Sequence, residues 1–516
     1  MTDAPPATFL FADRPEEIAN LRRALDRAGY TVAGVRAAIG EHGFTFLSRA
    51  EVAPVVRRTA GGSPLDTLIR LFLCGVAVEP AAAEAALAPL DLHGCAAAGL
   101  VHVDAAGVVG GLKIRPYDVT GRQWLVAYDS AGRGAHRADF VLGIGAASLT
   151  LASMTVRPTV GSLLDLGTGS GIQALHGLGQ AERIVATDRN PRAVAVAAFN
   201  FALNGATEIT VRRGDLFAPV TGERFDLIVS NPPFVISPED RFDYRDSGLP
   251  LDEICRRIVR QAGAHLNDGG WCQLLANWAH RSGEDWRARL AGWFEGTGCD
   301  AWVIQRDVED IEHYASTWIR HEEPDPARTG EAFNRWMDFY QQAGIEAVGS
   351  GLITMRRTTR PTPWLRIEEV TQDIAVPSGD AIEATFHRLE WLAGRPEGDL
   401  QNQRLVVADD VRLYETRRVH EGRWVAEEHE LRQLQGLRHV GSVDPPGAGL
   451  IAGCDGQRTV GQLIDRLADS VGADVTDVTP QAVAIVTRLV EQGFLLPLPA
   501  PAGEQGRLEA SPPPTR

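Results

Sequence analysis

Lysine is almost absent from this chain. Among 516 residues it occurs once, as Lys113, so nearly all of the 51 basic residues are arginine. With the richness in alanine and glycine this points to a high-GC genome and says little about function. Cysteine is sparse and scattered: Cys74, Cys95, Cys255, Cys272, Cys299 and Cys454 form no C-x-x-C pair. That spacing argues against a zinc site or a disulfide framework and fits a reducing cytoplasm. The 13 histidines show no H-E-x-x-H or similar spacing, so no metal is expected. There is no run of about 18 apolar residues, so no membrane span is expected either. The opening MTDAPPATF lacks a basic region followed by an apolar one, and no signal peptide is expected. Positive charge is short overall, with a net charge of −16. A protein that holds long nucleic acid through its phosphates usually carries a basic surface. The pairs Arg212-Arg213, Arg256-Arg257, Arg356-Arg357 and Arg417-Arg418 are candidates for a local basic strip.

What the chain does have is length for two or three domains and one stretch dense in glycine. Val160 to Leu166 is a short, mostly apolar run that carries Asp165 near its end. Gly167, Thr168, Gly169, Ser170 and Gly171 follow, and Ile172-Gln173-Ala174-Leu175 starts an apolar helix. This is the pattern of a buried parallel strand, a tight turn and a helix whose N-terminus faces the turn. Such a turn is where an open α/β sheet binds a nucleotide-like ligand. The spacing is G-x-G-x-G, and Ile172 stands where a dinucleotide fingerprint wants its last glycine. Asp165 would repel a pyrophosphate and attract an ammonium. No Gly-Lys-Ser/Thr follows, so the stretch is not a P-loop.

Two later strands end in residues of the same kind of chemistry. Arg183 to Thr187 leads into Asp188 and Arg189, 17 residues past Gly171 for the carboxylate. An acid at the end of a second strand can accept both hydroxyls of a ribose. Phe225 to Ser230 runs into Asn231-Pro232-Pro233-Phe234. Two prolines at a strand end stop the ladder and stiffen the backbone, fixing the Asn231 side chain and the Pro232 carbonyl.

From residue 151 to 358 strands and helices alternate, which implies a parallel sheet with helices on both faces. The strands are expected at 163–166, 183–187, 208–212, 225–230, 270–276 and 299–306, and the helices at 171–179, 191–204, 251–266 and 284–295. Residues 1–105 are read as a helical, winged-helix-like domain and 106–150 as a β-rich connector. Residues 359–498 are read as an α+β domain ending in a winged-helix-like unit, and 499–516 as a disordered tail. Trp271, Trp278, Trp286 and Trp293 recur about every seven residues but are broken by glycines, and are read as core. The helix Glu331–Ala343 lies between Trp302-Val303-Ile304 and Ile353-Thr354-Met355 and is read as an insertion between these last two strands.

The pattern D-x-G-x-G-x-G followed by N-P-P-F resembles the class I S-adenosylmethionine-dependent methyltransferases of the "small domain" kind, over roughly residues 139 to 358. The resemblance implies a Rossmann-like α/β fold with S-adenosyl-L-methionine as cofactor. It implies a cofactor site of Asp165, Gly167, Thr168, Gly169, Gly171, Asp188, Arg189, Asp215, Leu216 and Asn231. Asp215 would take the adenine amino group, and the segment His136–Ala152, with Gly143 and Gly145, would pack over the cofactor. Asn231, Pro232, Pro233 and Phe234 would be catalytic, since the N-P-P-F/Y motif marks methylation of a planar nitrogen. Such a nitrogen has a delocalised lone pair; oxygens that accept its N–H groups draw it towards a tetrahedral geometry, and Phe234 could stack on the flat acceptor. An exocyclic amine of RNA, of the ribosomal RNA type, is ranked first as acceptor, a protein glutamine second and a small-molecule amine third. The non-enzyme alternative is a cofactor-binding scaffold or winged-helix regulator.

Overall fold

A computed structural model describes residues 9–498 apart from 50, 120, 131–136, 240–242, 247, 321–325 and 397. The expected disordered tail and His136 therefore lie outside the described residues. The chain divides into two compact units, Met1–Ala152 with Pro158–Thr371, and Ser153–Arg157 with Gln372–Arg516.

The first unit opens with helices α1 (Pro15–Arg27), α2 (Val32–Ile39), α3 (Gly43–Ser48), α4 (Ala53–Arg58), α5 (Pro64–Ile69), α6 (Pro80–Leu87) and α7 (Leu92–Ala97). Helix α1 has Pro15 in its first turn, where the missing N–H costs nothing, and buries Ile18, Leu21, Ala24 and Leu25 on one face. Ser63 and Asp66 form a reciprocal cap at the start of α5. Two antiparallel hairpins follow, β1 (Val101–Asp104) with β2 (Gly107–Gly110) and β3 (Leu112–Val119) with β4 (Arg122–Asp129). Helix α8 (Ala146–Met154) leads into the large sheet.

That sheet contains β5 (Val160–Leu166), β6 (Ala181–Asp188), β7 (Ile209–Arg213), β8 (Phe225–Ser230), β9 (Leu266–Arg281), β10 (Cys299–Asp310), β11 (Ile345–Arg357) and β12 (Leu365–Glu369). Their order is β12-β10-β11-β9-β8-β5-β6-β7, with β11 antiparallel to both its neighbours and the other pairings parallel. Helices α9 (Ile172–His176), α10 (Pro191–Leu203), α11 (Glu253–Ala262) and α12 (Trp286–Phe294) connect the strands, and α13 (Ile311–Arg320) and α14 (Pro326–Ala343) lie between β10 and β11. This is the α/β sheet the alternation predicts, including the insertion before the last strand of the expected fold.

The differences are local. Strand β9 runs from 266 to 281, well past the expected 270–276, because it pairs with β11 from Trp271 to Arg281. Strand β12 lies beyond residue 358 yet pairs with β10. Helix α9 is only five residues long, and α13 had no counterpart in the sequence reading. Trp271, Trp278 and Trp293 are buried, the first two on β9 and the third on α12.

The second unit contains α15 (Gly379–Ala393), β13 (Arg404–Val407), β14 (Val411–His420), β15 (Arg423–Gln433), β16 (Val440–Ser442), α16 (Pro445–Ala452), β17 (Asp455–Thr459), α17 (Val460–Val471), α18 (Val475–Gln492) and β18 (Leu495–Pro497). Its sheets run β17-β13-β18 and β14-β15-β16. Helix α18 starts at Val475, capped by Asp474, so Pro480 lies inside it rather than at its start.

Candidate active site

The sheet order reverses between β5 and β8, so a crevice forms beyond their C-terminal ends, the place where open α/β sheets bind ligands. A cavity of about 340 Å³ lies there. It is lined by the turn after β5, the ends of β6, β7 and β8, and the segment before α8.

The glycines of the turn do different work. Gly167 and Gly169 have φ of 76° and 55° and line the cavity, and nothing lies within 4 Å of where a Cβ would stand. They are required by the left-handed backbone, and they leave that space to a ligand. Gly171 is not among the lining residues. A Cβ there would meet the Phe201 ring at 2.6 Å, so the third glycine serves close packing of the turn on α10.

Asp165 is buried at the end of β5 and lines the cavity. Its Oδ2 accepts from Thr168 Oγ1 at 2.6 Å and from the Ala174 N–H at 3.0 Å. Burial pushes its carboxyl up to about 7, and the nearby Asp188 adds to the rise, against the pull of those two donors. Asp188, at the end of β6, accepts the Gly169 N–H on Oδ2 and the Asn190 N–H on Oδ1, each at 2.9 Å. Burial raises Asp188 as well, despite those bonds. Asn190 caps α10 through Arg192 N and holds the Asp139 carbonyl with its amide at 3.1 Å. Arg189 pairs with Asp243 at 3.1 Å. Asp215 and Leu216 line the cavity from the turn after β7, with Asp215 exposed.

Ser230, at the end of β8, donates to the Leu166 carbonyl at 2.7 Å and ties the two halves of the crevice together. Asn231, Pro232 and Pro233 line the cavity. Asn231 Oδ1 is buried with no hydrogen-bond partner. A buried amide oxygen left so costs roughly 1–3 kcal/mol, so it marks a place where a donor from a ligand belongs. Phe234 is absent from the lining; it packs into the apolar clusters behind the corner.

Of the site residues named from the sequence, all but Gly171 and Phe234 line the cavity. The sequence reading placed the segment before α8 over the cofactor, and Phe140 to Gly143 and Gly145 to Ser148 do line the cavity, held by a Gln173 Nε2 bond to the Ser148 carbonyl at 2.8 Å. It missed Asp243 and Tyr244, which arrive from a loop that carries no motif. The arginine pairs do not form a free basic strip. Arg256 and Arg257 both bind Glu253, Arg418 binds Glu427 at 3.1 Å, Arg212 binds Glu223 and Arg417 binds Glu415. Arg357 is turned onto the Gly263 and Thr297 carbonyls.

Residues 142–290 match the family model described as methyltransferase small domain. That segment is similar to methyltransferases, in line with the resemblance to the class I S-adenosylmethionine-dependent kind that its motifs carry. Its flanks match two further families, both described as domains of unknown function, DUF7059 over residues 27–111 and DUF7782 over residues 383–497. The chain is 34% identical over 162 residues to a release factor glutamine methyltransferase of Geobacter sulfurreducens, covering 29% of this chain and 55% of that protein. It is 40% identical over 134 residues to a ribosomal protein uL3 glutamine methyltransferase of Bradyrhizobium diazoefficiens, covering 23% and 42%. It is 33% identical over 137 residues to a ribosomal RNA small subunit methyltransferase C of an Enterobacter species, covering 26% and 36%. The chain thus spans about half or less of the length of these relatives.

The lining fits the cofactor of that class. It carries Asp165, Asp188, Asp215 and Asp243 against one arginine, Arg189, among the described lining residues. Such a site suits a cationic ligand with an ammonium and a ribose diol, and disfavours a pyrophosphate.

Proposed function

We propose that this protein is an S-adenosylmethionine-dependent N-methyltransferase acting on a planar NH2 group. The observation that carries the reading is Asn231 Oδ1, buried and unpartnered at the lip of an acidic crevice beside a rigid diproline corner. S-adenosylmethionine, when bound, supplies a methyl group on a positively charged sulfur. Asp188 would hold the ribose hydroxyls and Asp165 the ammonium, with Gly167 and Gly169 leaving room for the backbone to close on the ligand. Asp215 would take the adenine amine. Asn231 Oδ1 and the Pro232 carbonyl accept the two N–H groups of the acceptor, localise its lone pair and aim it into the crevice. No strong base is needed, because the nitrogen proton becomes acidic once the nitrogen is alkylated.

Between acceptors, the carboxamide of a protein glutamine is favoured. The four lining carboxylates give phosphates little to bind, and Phe234 is half-buried against the apolar clusters behind the corner. The similarity to two glutamine methyltransferases supports the same choice. An RNA base amine is the second reading, favoured by the aromatic faces of Phe140 and Tyr244 in the lining and by the ribosomal RNA relative. The deciding experiment adds methyl-labelled cofactor and the protein to a cell extract and separates protein, RNA and small molecules. Label in a protein band, as N-methylglutamine after digestion, supports the first reading; label confined to RNA supports the second. Asn231→Ala abolishes incorporation while retaining cofactor binding; undiminished incorporation refutes the role of Asn231.

A further inference from the structure

Pro232 and Pro233 have no N–H to give. Neither proline can be tied down by a donated backbone hydrogen bond, so neighbouring backbone groups along the chain must hold the corner. Val235 and Ile236 are buried, 6% and 0% exposed, but they belong to no strand. The Val235 N–H reaches the Arg245 carbonyl at 3.3 Å. Both polar groups of Ile236 go to side chains of the α13–α14 insert. Its N–H donates to Tyr314 Oη at 3.2 Å, and its carbonyl accepts from the Tyr340 O–H at 2.8 Å. Asn277, on β9, donates its amide to the same Tyr314 oxygen at 2.8 Å, so the insert is referenced to the sheet.

The two rings lie in an apolar cluster with Trp336, Ile319 and Val348, where phenylalanine would fill nearly the same volume. The hydroxyls are the part that packing does not explain. Burial pushes both phenols well above their ordinary range, so both keep the proton.

We propose that Tyr314 and Tyr340 are positioning residues: the insert between β10 and β11 clamps Ile236 and so fixes the height and direction at which Asn231 meets its acceptor. This rests on the N-methyltransferase reading above. The insert thus acts on the reaction through the backbone five residues past Asn231, without touching the acceptor.

The test uses Tyr314→Phe, Tyr340→Phe and the joint variant in the full chain, with Asn231→Ala alongside. The expected result is unchanged calorimetric affinity for S-adenosylhomocysteine, faster exchange of the backbone amides of residues 234–237, and kcat lower by about 10- to 100-fold with the acceptor KM moved much less, the cost of a misplaced reacting group. A joint variant that folds and keeps wild-type exchange at the amides of residues 234–237, or wild-type kcat, overturns the clamp. If the joint variant does not fold, Tyr340→Phe alone carries the same comparison, since it removes one donor and leaves the Asn277 link intact. Wild-type turnover in Asn231→Ala refutes the role of Asn231 instead, methyl transfer by the wild-type protein to no acceptor refutes the methyltransferase reading, and in either case the exchange rates still decide whether the tyrosines hold the corner.

Discussion

Asp165 makes cofactor binding a proton-linked event. Without a cation beside it, its carboxyl titrates at about 7, because it is buried and near Asp188. A ligand ammonium placed against it favours the ionised form and brings the carboxyl back into or below its ordinary range. Binding near neutrality should then release about half a proton, the fraction held beforehand by a group titrating at the solution pH. From about pH 8.5 to about pH 5.5 the ionised fraction falls about 30-fold, so affinity should fall by about 2 kcal/mol at 1.36 kcal/mol per unit. Titration calorimetry with S-adenosylhomocysteine in buffers of different ionisation enthalpy measures both quantities. Asp165→Asn should bind more weakly and show neither the slope nor the proton. Stability carries the matching sign. A carboxyl raised on folding contributes fully below its unfolded value of about 4 and loses that contribution as pH rises through about 7. The unliganded protein should melt lower at about pH 8 than at about pH 5.5, and Asp165→Asn should flatten most of the difference, Asp188 leaving a remainder of the same sign. An affinity that is flat over this range, with no proton released, would refute the placement of an ammonium at Asp165.

Asp188→Ala should weaken S-adenosylhomocysteine binding by about 1–3 kcal/mol, as lost charge-assisted bonds do, and an unchanged calorimetric affinity would remove the ribose from that position. Gly171→Ala should lower stability by about 1–3 kcal/mol, since the new methyl meets the Phe201 ring at 2.6 Å on a backbone with φ of 86°, and Phe201→Leu in the same chain should recover part of it in thermal melts. Phe234→Leu should cost about 1 kcal/mol of packing yet leave kcat within a few-fold; a large selective loss of kcat would restore it to a stacking role.

Much of the crevice was legible because its chemistry needs particular residue types at strand ends. Apolar runs broken by Asp165, by Asp188 and by Asn231-Pro232 announce both the strand and the ligand side, and Pro191 after Asn190 announces a helix. What was illegible depends on juxtaposition. Nothing local marks Tyr314 and Tyr340 as partners of Ile236, which lies 78 and 104 residues away from them. Phe234 reads as a stacking residue from its motif, and nothing local shows that its ring is half-buried against the insert's apolar cluster. Gly171 reads like its two neighbours, although its reason is Phe201. The β14–β15 hairpin escaped because it is exposed on both faces along most of its length, so no apolar alternation sets its period. Strand β12, Leu-Arg-Ile-Glu-Glu, is half-buried at a sheet edge and has the same weakness.

Helix α10 belongs to two neighbours at once. Ala193, Val196, Phe199 and Leu203 sit in the same apolar cluster as α1 and the β3–β4 hairpin. Asn200 reaches both ways, bonding the Ala127 backbone at 2.7 and 2.9 Å and the Ser170 carbonyl of the glycine turn at 2.8 Å. Asn204 repeats the link to Leu125, and Arg192 is buried against Asp129. A shortened chain beginning near residue 142 would therefore strip one side from a shared wall, leaving apolar surface and two amides without their partners, and the cofactor crevice would lose the support on which its glycine turn is hung. The amino-terminal third of the protein is in this sense masonry for the sheet that carries the crevice.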